Sequence, residues 1–336
     1  MIKSASIILL TLPLDVSLKE VHFCNMINIT CPVCINKETK SDSIVFKVVT
    51  DSNETYQIRK CQNCNHVYTY FTHDIDISAY YDEKDYTVKD TKESIFFKIQ
   101  KLEYNLVLNK IKKLNPSSNT LLDFGSGKGL FLKFAREKGY AVKGVESSVP
   151  RARYAKDHFG LEINSDYYKQ GMVFGEKFDV LTMFHVLEHI HLSENLLNNL
   201  ITANLKLNGT LVIEVPNFNS WQSKWAGNRW LHLDVPRHIS HFTPAILKKV
   251  IADSGCVVQR ESYFSLHLGI VGMVQTIFSW FGYKGFLIAD LKNKKSLGLL
   301  TGLLVVLPLA TILESLASLC NQGGVVRCYA VKTVQP

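Results

Sequence analysis

Nothing in this chain concentrates charge of one sign. There is no basic tract interleaved with aromatic residues, and the lysines are spread along 336 residues, so the net charge of +8 does not by itself point to nucleic acid. Internal repeats and low-complexity segments are missing too, as is any stretch polar enough for long disorder. Charge disappears altogether in two places: residues 262–283 and 296–313 contain no Asp, Glu, Lys or Arg. Either run is long enough to reach across a bilayer. An apolar run, Ala5 to Leu12, follows Lys3 but lacks a small-residue cleavage site. Met26 therefore reads as the native start, with residues 1–25 a leader. What remains is a hydrophobic share of 46% against 20% charged, which suits one large α/β domain with a sizeable core plus a small accessory module.

Four of the eight cysteines form two pairs, Cys31-x2-Cys34 and Cys61-x2-Cys64, separated by 26 residues. Two such knuckles place four thiolates at the corners of a tetrahedron and close a structural zinc site. The competing reading is a pair of disulfides in an exported domain. Residues 26–72 then form a zinc ribbon, with strands in "SIVFKVV" and "TYQIRKC" and alternating aromatics in "HVYTYF". His66 beside the second knuckle is structural rather than a fifth ligand. Residues 73–119 follow as linker and helix: "ISAYYDEKDYT" leads to an amphipathic helix over about 92–114, with Ile95, Phe96, Ile99, Leu102, Leu106 and Ile111 as its apolar stripe.

From residue 120 to 336 strand and helix signals alternate: "TLLDF", a helix over 128–138, "YAVKGVE", a helix over 149–159, "LEIN", "FDVLTMF", a helix over 193–206, "GTLVIEVP", a helix over 244–254, "CVVQRESY" and "GVVRCYAVK". Seven strands in this pattern call for an α/β fold with a mostly parallel, Rossmann-like sheet. The uncharged runs lie in an insertion, residues 264–320, before the last strand. A single crossing would leave neighbouring strands of one sheet on opposite sides of a bilayer. The insertion is therefore a helical hairpin dipping into a membrane, an interfacial pair, or a buried or dimer-forming pair. Gly269, Gly272, Gly298, Gly302 and Pro308 are expected to break its helices.

"TLLDFGSGKGLF" places Gly125, Gly127 and Gly129 between a strand and a helix, where the backbone can turn sharply and approach a ligand. The stretch fails the phosphate-loop pattern, and its third glycine comes one position early for a dinucleotide fingerprint. S-adenosylmethionine is the remaining cofactor of this kind of loop. Asp123 at the first strand's end suits the ammonium of its methionine moiety, helix amides beyond Ser126 and Gly127 suit the carboxylate, and Glu146 in "GVESS" suits both ribose hydroxyls.

With "FDVLTMFHVLEHI", "LKLNGTLVIEVPN" and "PRHISHF" added, the sequence resembles the class I S-adenosylmethionine-dependent methyltransferases, in the branch of quinone O-methyltransferases and sugar C-methyltransferases, some of which carry an N-terminal zinc ribbon. The resemblance covers about residues 120–263 and the last strand. It implies a seven-stranded sheet with the last strand antiparallel and the cofactor over the strands' C-terminal ends, with Phe184 among the cofactor residues and Asp166 in "NSDYY" nearest the adenine.

Methyl transfer needs in-line placement and, for a hydroxyl or carbon acid, proton removal. His185, Glu188 and His189 share one face of a helical turn and either ligate a divalent metal or brace the neighbouring loops. In "VPNFNSWQSKWAGNRWLHLDVPRHISHF", His238 is the expected general base, with His241 and His185 as further candidates. Asn217 is placed to hold the substrate. Trp221, Trp225 and Trp230 form either an acceptor pocket or a lid.

The function read from the sequence is that of a cytoplasmic methyltransferase acting on a small-molecule or lipid-linked acceptor such as a sugar, glycolipid precursor or quinone. Peripheral membrane contact or a homodimer would run through residues 262–313. The alternatives are a nucleic-acid or protein methyltransferase, against which the missing basic tract argues, and a non-catalytic cofactor-binding module that recruits a partner through the ribbon.

Overall fold

The computed structural model describes residues 31–34, 42–50, 53–71, 95–190, 193–293 and 297–333. The leader and the bridging stretch 77–87 lie outside them.

Strands β1 (Ser43–Val49), β2 (Thr55–Lys60) and β3 (Val67–Tyr70) form an antiparallel meander after the first knuckle. Its inner residues Ile58 and Val67 bury against Trp230 and Leu233, far along the chain. A two-residue strand, β9 (Ser240–His241), completes this sheet by pairing with β3, Val67 opposite His241. This small sheet is thus stitched to the loop that carries the predicted base.

Helix α1 (Ile95–Leu114) precedes the main sheet. Its core stripe is Tyr104, Val107, Leu108 and Ile111, while Leu102 and Leu106 are about half exposed, so the expected stripe is rotated. The rotation turns Glu103 inward to meet Arg327. Seven strands follow: β4 (Thr120–Phe124), β5 (Ala141–Val145), β6 (Glu162–Asn164), β7 (Phe178–Phe184), β8 (Leu205–Pro216), β10 (Cys256–Ser262) and β11 (Val325–Lys332). Their order is β10-β11-β8-β7-β4-β5-β6, with β11 antiparallel to both neighbours and the rest parallel. This is the predicted Rossmann-like sheet. β8 is buried without interruption from Gly209 to Pro216, as a strand covered on both faces must be. Chain order reverses beside β4, and ligands bind such sheets at that switch point, outside the C-terminal strand ends.

Helices α2 (Leu130–Glu137), α3 (Val149–Phe159), α4 (Ser193–Asn204) and α6 (Pro244–Asp253) cover the sheet, and a short α5 (Trp221–Ala226) follows β8. α4 stops two residues earlier than its apolar pattern predicts. Its last side chain, Asn204, donates to the carbonyls of Leu200 and Gly171 and accepts from Val173 N–H, which fixes the end.

The insertion folds as α7 (Leu268–Trp280), α8 (Leu287–Asn293) and α9 (Leu297–Leu319). Its glycines do not break the helices as expected. A Cβ on Gly269 would lie 2.7 Å from Glu314 Oε1 and one on Gly272 2.3 Å from Gln222 Oε1, so these glycines admit neighbours, and α9 runs on through Pro308.

Candidate active site

At the tip of β4 the backbone turns through Gly125, Gly127 and Gly129, all left-handed at φ 77°, 55° and 73°. The three differ in what surrounds them. A Cβ on Gly125 would meet Val186 at 2.3 Å and one on Gly129 would meet Leu161 at 2.5 Å, whereas Gly127 faces open space. The N–H groups of Gly125 and Ser126 donate to Val145 O, tying the loop to β5. Glu146, just past β5, accepts from Gly127 N–H at 2.7 Å and Ser148 N–H at 2.8 Å. Ser126 is buried, with its hydroxyl unpartnered.

Asp123 is buried and accepts from Thr182 Oγ at 2.6 Å; the loop amides go to Val145 and Glu146 instead. Burial first, and the charge of Glu146 after it, push the Asp123 carboxyl up to about 7 against the Thr182 hydrogen bond. Among the described residues neither carboxylate has a cationic partner. Two converging acids beside a loop with free space at Gly127 form a place for a cation-bearing ligand.

Asp166 is exposed, its N–H held by Asn164 Oδ1 at 2.8 Å. It lines a cavity of about 230 Å³ together with Val145, Asn164, Tyr168 and Met172, directly beyond the tips of β5 and β6. Another cavity, about 340 Å³, lies between the ribbon and α6, but none of Asp123, Glu146, Glu188 or His238 lines it. Phe184 ends β7 with its ring edge-on to Phe131, centroids 4.8 Å apart, beside the loop's helix.

Beyond β7 the chain turns through His185 at φ 55° into a single 3₁₀ turn, Leu187–His189. His185 Nε2 is 2.9 Å from Glu214 Oε1 and Nδ1 is 3.3 Å from Glu188 Oε1. Burial disfavours its charge, yet the close contacts and charges of the two glutamates outweigh this and hold the imidazolium up to about 10. Glu214 is shared with Arg327, which also donates to Glu103 at 2.7 Å, so acids and bases alternate from α1 across β11 and β8 to the tip of β7. Held between two glutamates, His185 is placed to keep its proton rather than to take one from an acceptor. Glu103, Glu214 and Arg327 were missed by sequence reasoning. For Glu214 and Arg327 the signal was a lone charge inside an apolar strand, "VIEVP" and "VVRCYAV".

The loop 230–241 closes over this turn. Ile239 N–H donates to Glu188 O, and His238 N–H to Asp234 O. His238 is buried and its Nδ1 lies 2.8 Å from His232 O. A carbonyl only accepts, so in the neutral ring Nδ1 carries the proton and Nε2 the lone pair. Nε2 faces Asp234 Oδ2 at 3.7 Å and Glu188 Oε1 at 4.0 Å. His189 is held in the same way by Arg237 O at 3.0 Å. Ligand-type atoms of Glu188, His189 and His238 all fall within 4.8 Å of one another, a set that replaces His185 by His238 in the expected trio.

His241 is buried, bonded to Thr69 at 3.0 Å and tilted against Phe218, which ties β9 to β3. Asn217 is spent as well, donating to Gly323 O and accepting from Asn219 N–H. Trp230 packs on Ile58 and Val67, while Trp221 and Trp225 form a ring cluster with Trp280 at the end of α7.

At the ribbon, Cys31 and Cys64 sulfurs are 3.5 Å apart and those of Cys34 and Cys61 3.6 Å, all four within 4.8 Å of one another. These are free thiols, far beyond disulfide length. His66 is buried without a polar partner, its ring on Phe242, and burial lowers it to about 3, which fits the packing role expected of it.

Residues 98–261 match the family model of a methyltransferase domain. No curated protein matches the sequence. Among solved structures, the chain is similar to the plantazolicin methyltransferase BpumL in complex with SAH (13% identity, 77% of this chain and 89% of that one, TM-score 0.45). It is also similar to an O-methyltransferase from a trans-AT PKS multienzyme of Brevibacillus brevis in complex with S-adenosyl-L-homocysteine (13%, 69% and 73%, TM-score 0.44). Coclaurine N-methyltransferase shows a like relation (16%, 68% and 72%, TM-score 0.42). The family model makes residues 98–261 a methyltransferase domain, which supports an S-adenosylmethionine-dependent methyltransferase.

Proposed function

We propose that the enzyme moves the methyl group of S-adenosylmethionine to a small-molecule acceptor bound under the loop 230–241. The observation that carries the reading is the pair Asp123 and Glu146: two buried carboxylates with no cation among the described residues, beside a glycine turn open at Gly127. Asp123 would take the ammonium of the donor, amides at the start of α2 its carboxylate, Glu146 its ribose hydroxyls, and the cavity beside Asp166 its base. Bound there, the donor supplies an electrophilic methyl on a sulfonium. What the chain must add is alignment and, for a protic acceptor, a base. His238 suits that task because His232 O fixes its tautomer, while Glu188 and Asp234 flank the nitrogen that would gain a proton.

The four thiols support a structural zinc. Tetrahedral bonds of about 2.3 Å set sulfurs about 3.8 Å apart, close to the spacing found. Reduced thiols in turn favour a cytoplasmic location. One observation favours a second reading of His238: it shares a close cluster with His189 and the buried Glu188, whose oxygens form no well-made hydrogen bond, so Nε2 would serve a divalent cation instead of a proton. Activity lost to a chelator that leaves the ribbon zinc in place, and restored by a divalent ion, would select that reading.

Calorimetric titration with S-adenosylhomocysteine tests the donor site. Saturable binding to the wild type, lost in Glu146→Ala, is expected; no binding to a folded wild type would reject the assignment.

A further inference from the structure

Helix α9 is 23 residues long, about 34 Å at 1.5 Å per residue, with a mean hydropathy of 2.1 and only 11% of its most apolar stretch buried. Leu299, Leu303, Val306, Ala310 and Leu313 pack on Met273, Val274 and Ile277 of α7. The remaining surface is apolar and bare: Leu297 is 77% exposed, Leu304 73%, Val305 78% and Ile312 58%. At about 100° per residue, the exposed apolar positions from Leu297 to Leu319 sweep about 200° of the helix. A second helix would cover a stripe about 100° wide, whereas acyl chains cover any arc.

The ends of the insertion are also informative. β10 and β11 pair side by side, Ser262 opposite Arg327, so the chain leaves and re-enters at one place on the sheet. That geometry forbids a single crossing. The return end is anchored in protein by Glu314, which accepts from Gln222 at 2.6 Å and Gly324 N–H at 2.8 Å. At the other end α7 finishes in Trp280, half exposed and 5.6 Å from the ring of Trp225, and in Phe281, 83% exposed. The connection onward carries Lys284, Lys292, Lys294 and Lys295 against the single acid Asp290, itself bonded to Tyr283. Bare aliphatics on α9, aromatics at the end of α7 and lysines next along the sequence are the chemistry that suits acyl chains, an interface and an anionic headgroup surface.

We propose that α7–α9 is a monotopic hairpin that seats the enzyme on an anionic bilayer, entering one leaflet with the free face of α9. The hairpin is continuous with the acceptor side of the active site. Gln222 of α5 donates to Gly269 O at 2.7 Å, and a Cβ on Gly272 would lie 2.9 Å from His232 Nε2, the residue whose carbonyl holds His238. The acceptor class that follows, resting on the methyl-transfer reading above, is an amphiphile with a long apolar tail presented from the membrane.

Flotation of the full chain with phosphatidylcholine vesicles containing about one third phosphatidylglycerol tests this, with Leu304→Glu/Val305→Glu as the variant. The wild type should rise with the vesicles, and the variant should lose at least roughly tenfold in bound fraction. Unchanged binding of S-adenosylhomocysteine to the variant would show that it is folded and keep this result separate from the methyl-transfer reading. A wild type that stays out of the lipid layer, or a dimer on size exclusion that the same variant splits while flotation is absent, would overturn the hairpin. Label from methyl-labelled S-adenosylmethionine in the lipid extract supports the acceptor class; label only in water-soluble small molecules overturns it.

Discussion

Glu214, inside a strand buried on both faces, lies 2.9 Å from Nε2 of His185 at the tip of the neighbouring strand. The pair places an imidazole between Glu214 and Glu188 at the C-terminal edge of the sheet. The first prediction follows from its titration. His185 is raised from about 6.5 to about 10, so its contribution to stability is complete below pH 6.5 and fades as pH climbs through 10. Glu188 is lowered from 4.5 to about 2, so its contribution is complete above pH 4.5 and fades towards pH 2. Thermal melts should show a plateau between these limits from this cluster. His185→Gln should cost about 3 kcal/mol at pH 6 and progressively less towards pH 10; a pH-independent cost would contradict the assignment.

The glycines of the β4 turn should separate stability from binding. Gly129→Ala forces a Cβ into Leu161 and Ala155 and should destabilise the domain by about 2 kcal/mol in denaturant titrations. Gly127→Ala meets open space, so it should cost about 1 kcal/mol while weakening S-adenosylhomocysteine binding more than roughly tenfold.

Asp123 predicts a pH dependence of donor binding. With its carboxyl near 7 in the free protein, an ammonium ligand must displace a proton below that pH. Affinity for S-adenosylmethionine should be roughly five- to tenfold weaker at pH 6 than at pH 8, and Asp123→Asn should flatten the profile at the weak end.

His238→Ala should lower kcat by about two to four orders of magnitude with donor binding unchanged, if the acceptor surrenders a proton. His241→Ala, by contrast, should loosen the ribbon and lower Tm with only a modest effect on kcat, because its partner is Thr69. Equal losses from both substitutions would contradict the division of labour.

Removal of the proposed zinc should reach the loop 230–241 through the sheet of β1, β2, β3 and β9. β9 pairs with β3, and Thr69 Oγ donates to His238 O at 2.7 Å. Cys61→Ser protein, checked for metal content, should therefore show a raised KM for the acceptor with donor affinity near that of the wild type.

Much of this was readable from the sequence because it rests on local rules. The strand–helix alternation gave the sheet, and "DFGSGKG" gave the glycine turn beside Glu146 on which the proposed donor site rests, since turn geometry and strand-tip position are set within a few residues. The acceptor side was only partially legible. His185, His238 and His241 look alike in sequence, and only the partners brought by folding separate them: two glutamates for His185, a carbonyl and two carboxylates for His238, a ribbon threonine for His241. Likewise the α1 stripe was misplaced because Glu103, polar by composition, is turned inward by Arg327 and His267.

The most direct measurement is transfer of label from methyl-labelled S-adenosylmethionine into a lysate of the native host, fractionated into lipid, soluble small molecules, nucleic acid and protein. Label in the small-molecule or lipid fractions with wild type, and none with Glu146→Ala, is the predicted result. Label in nucleic acid or protein, or none at all from a wild type that binds the donor, would contradict a small-molecule methyltransferase.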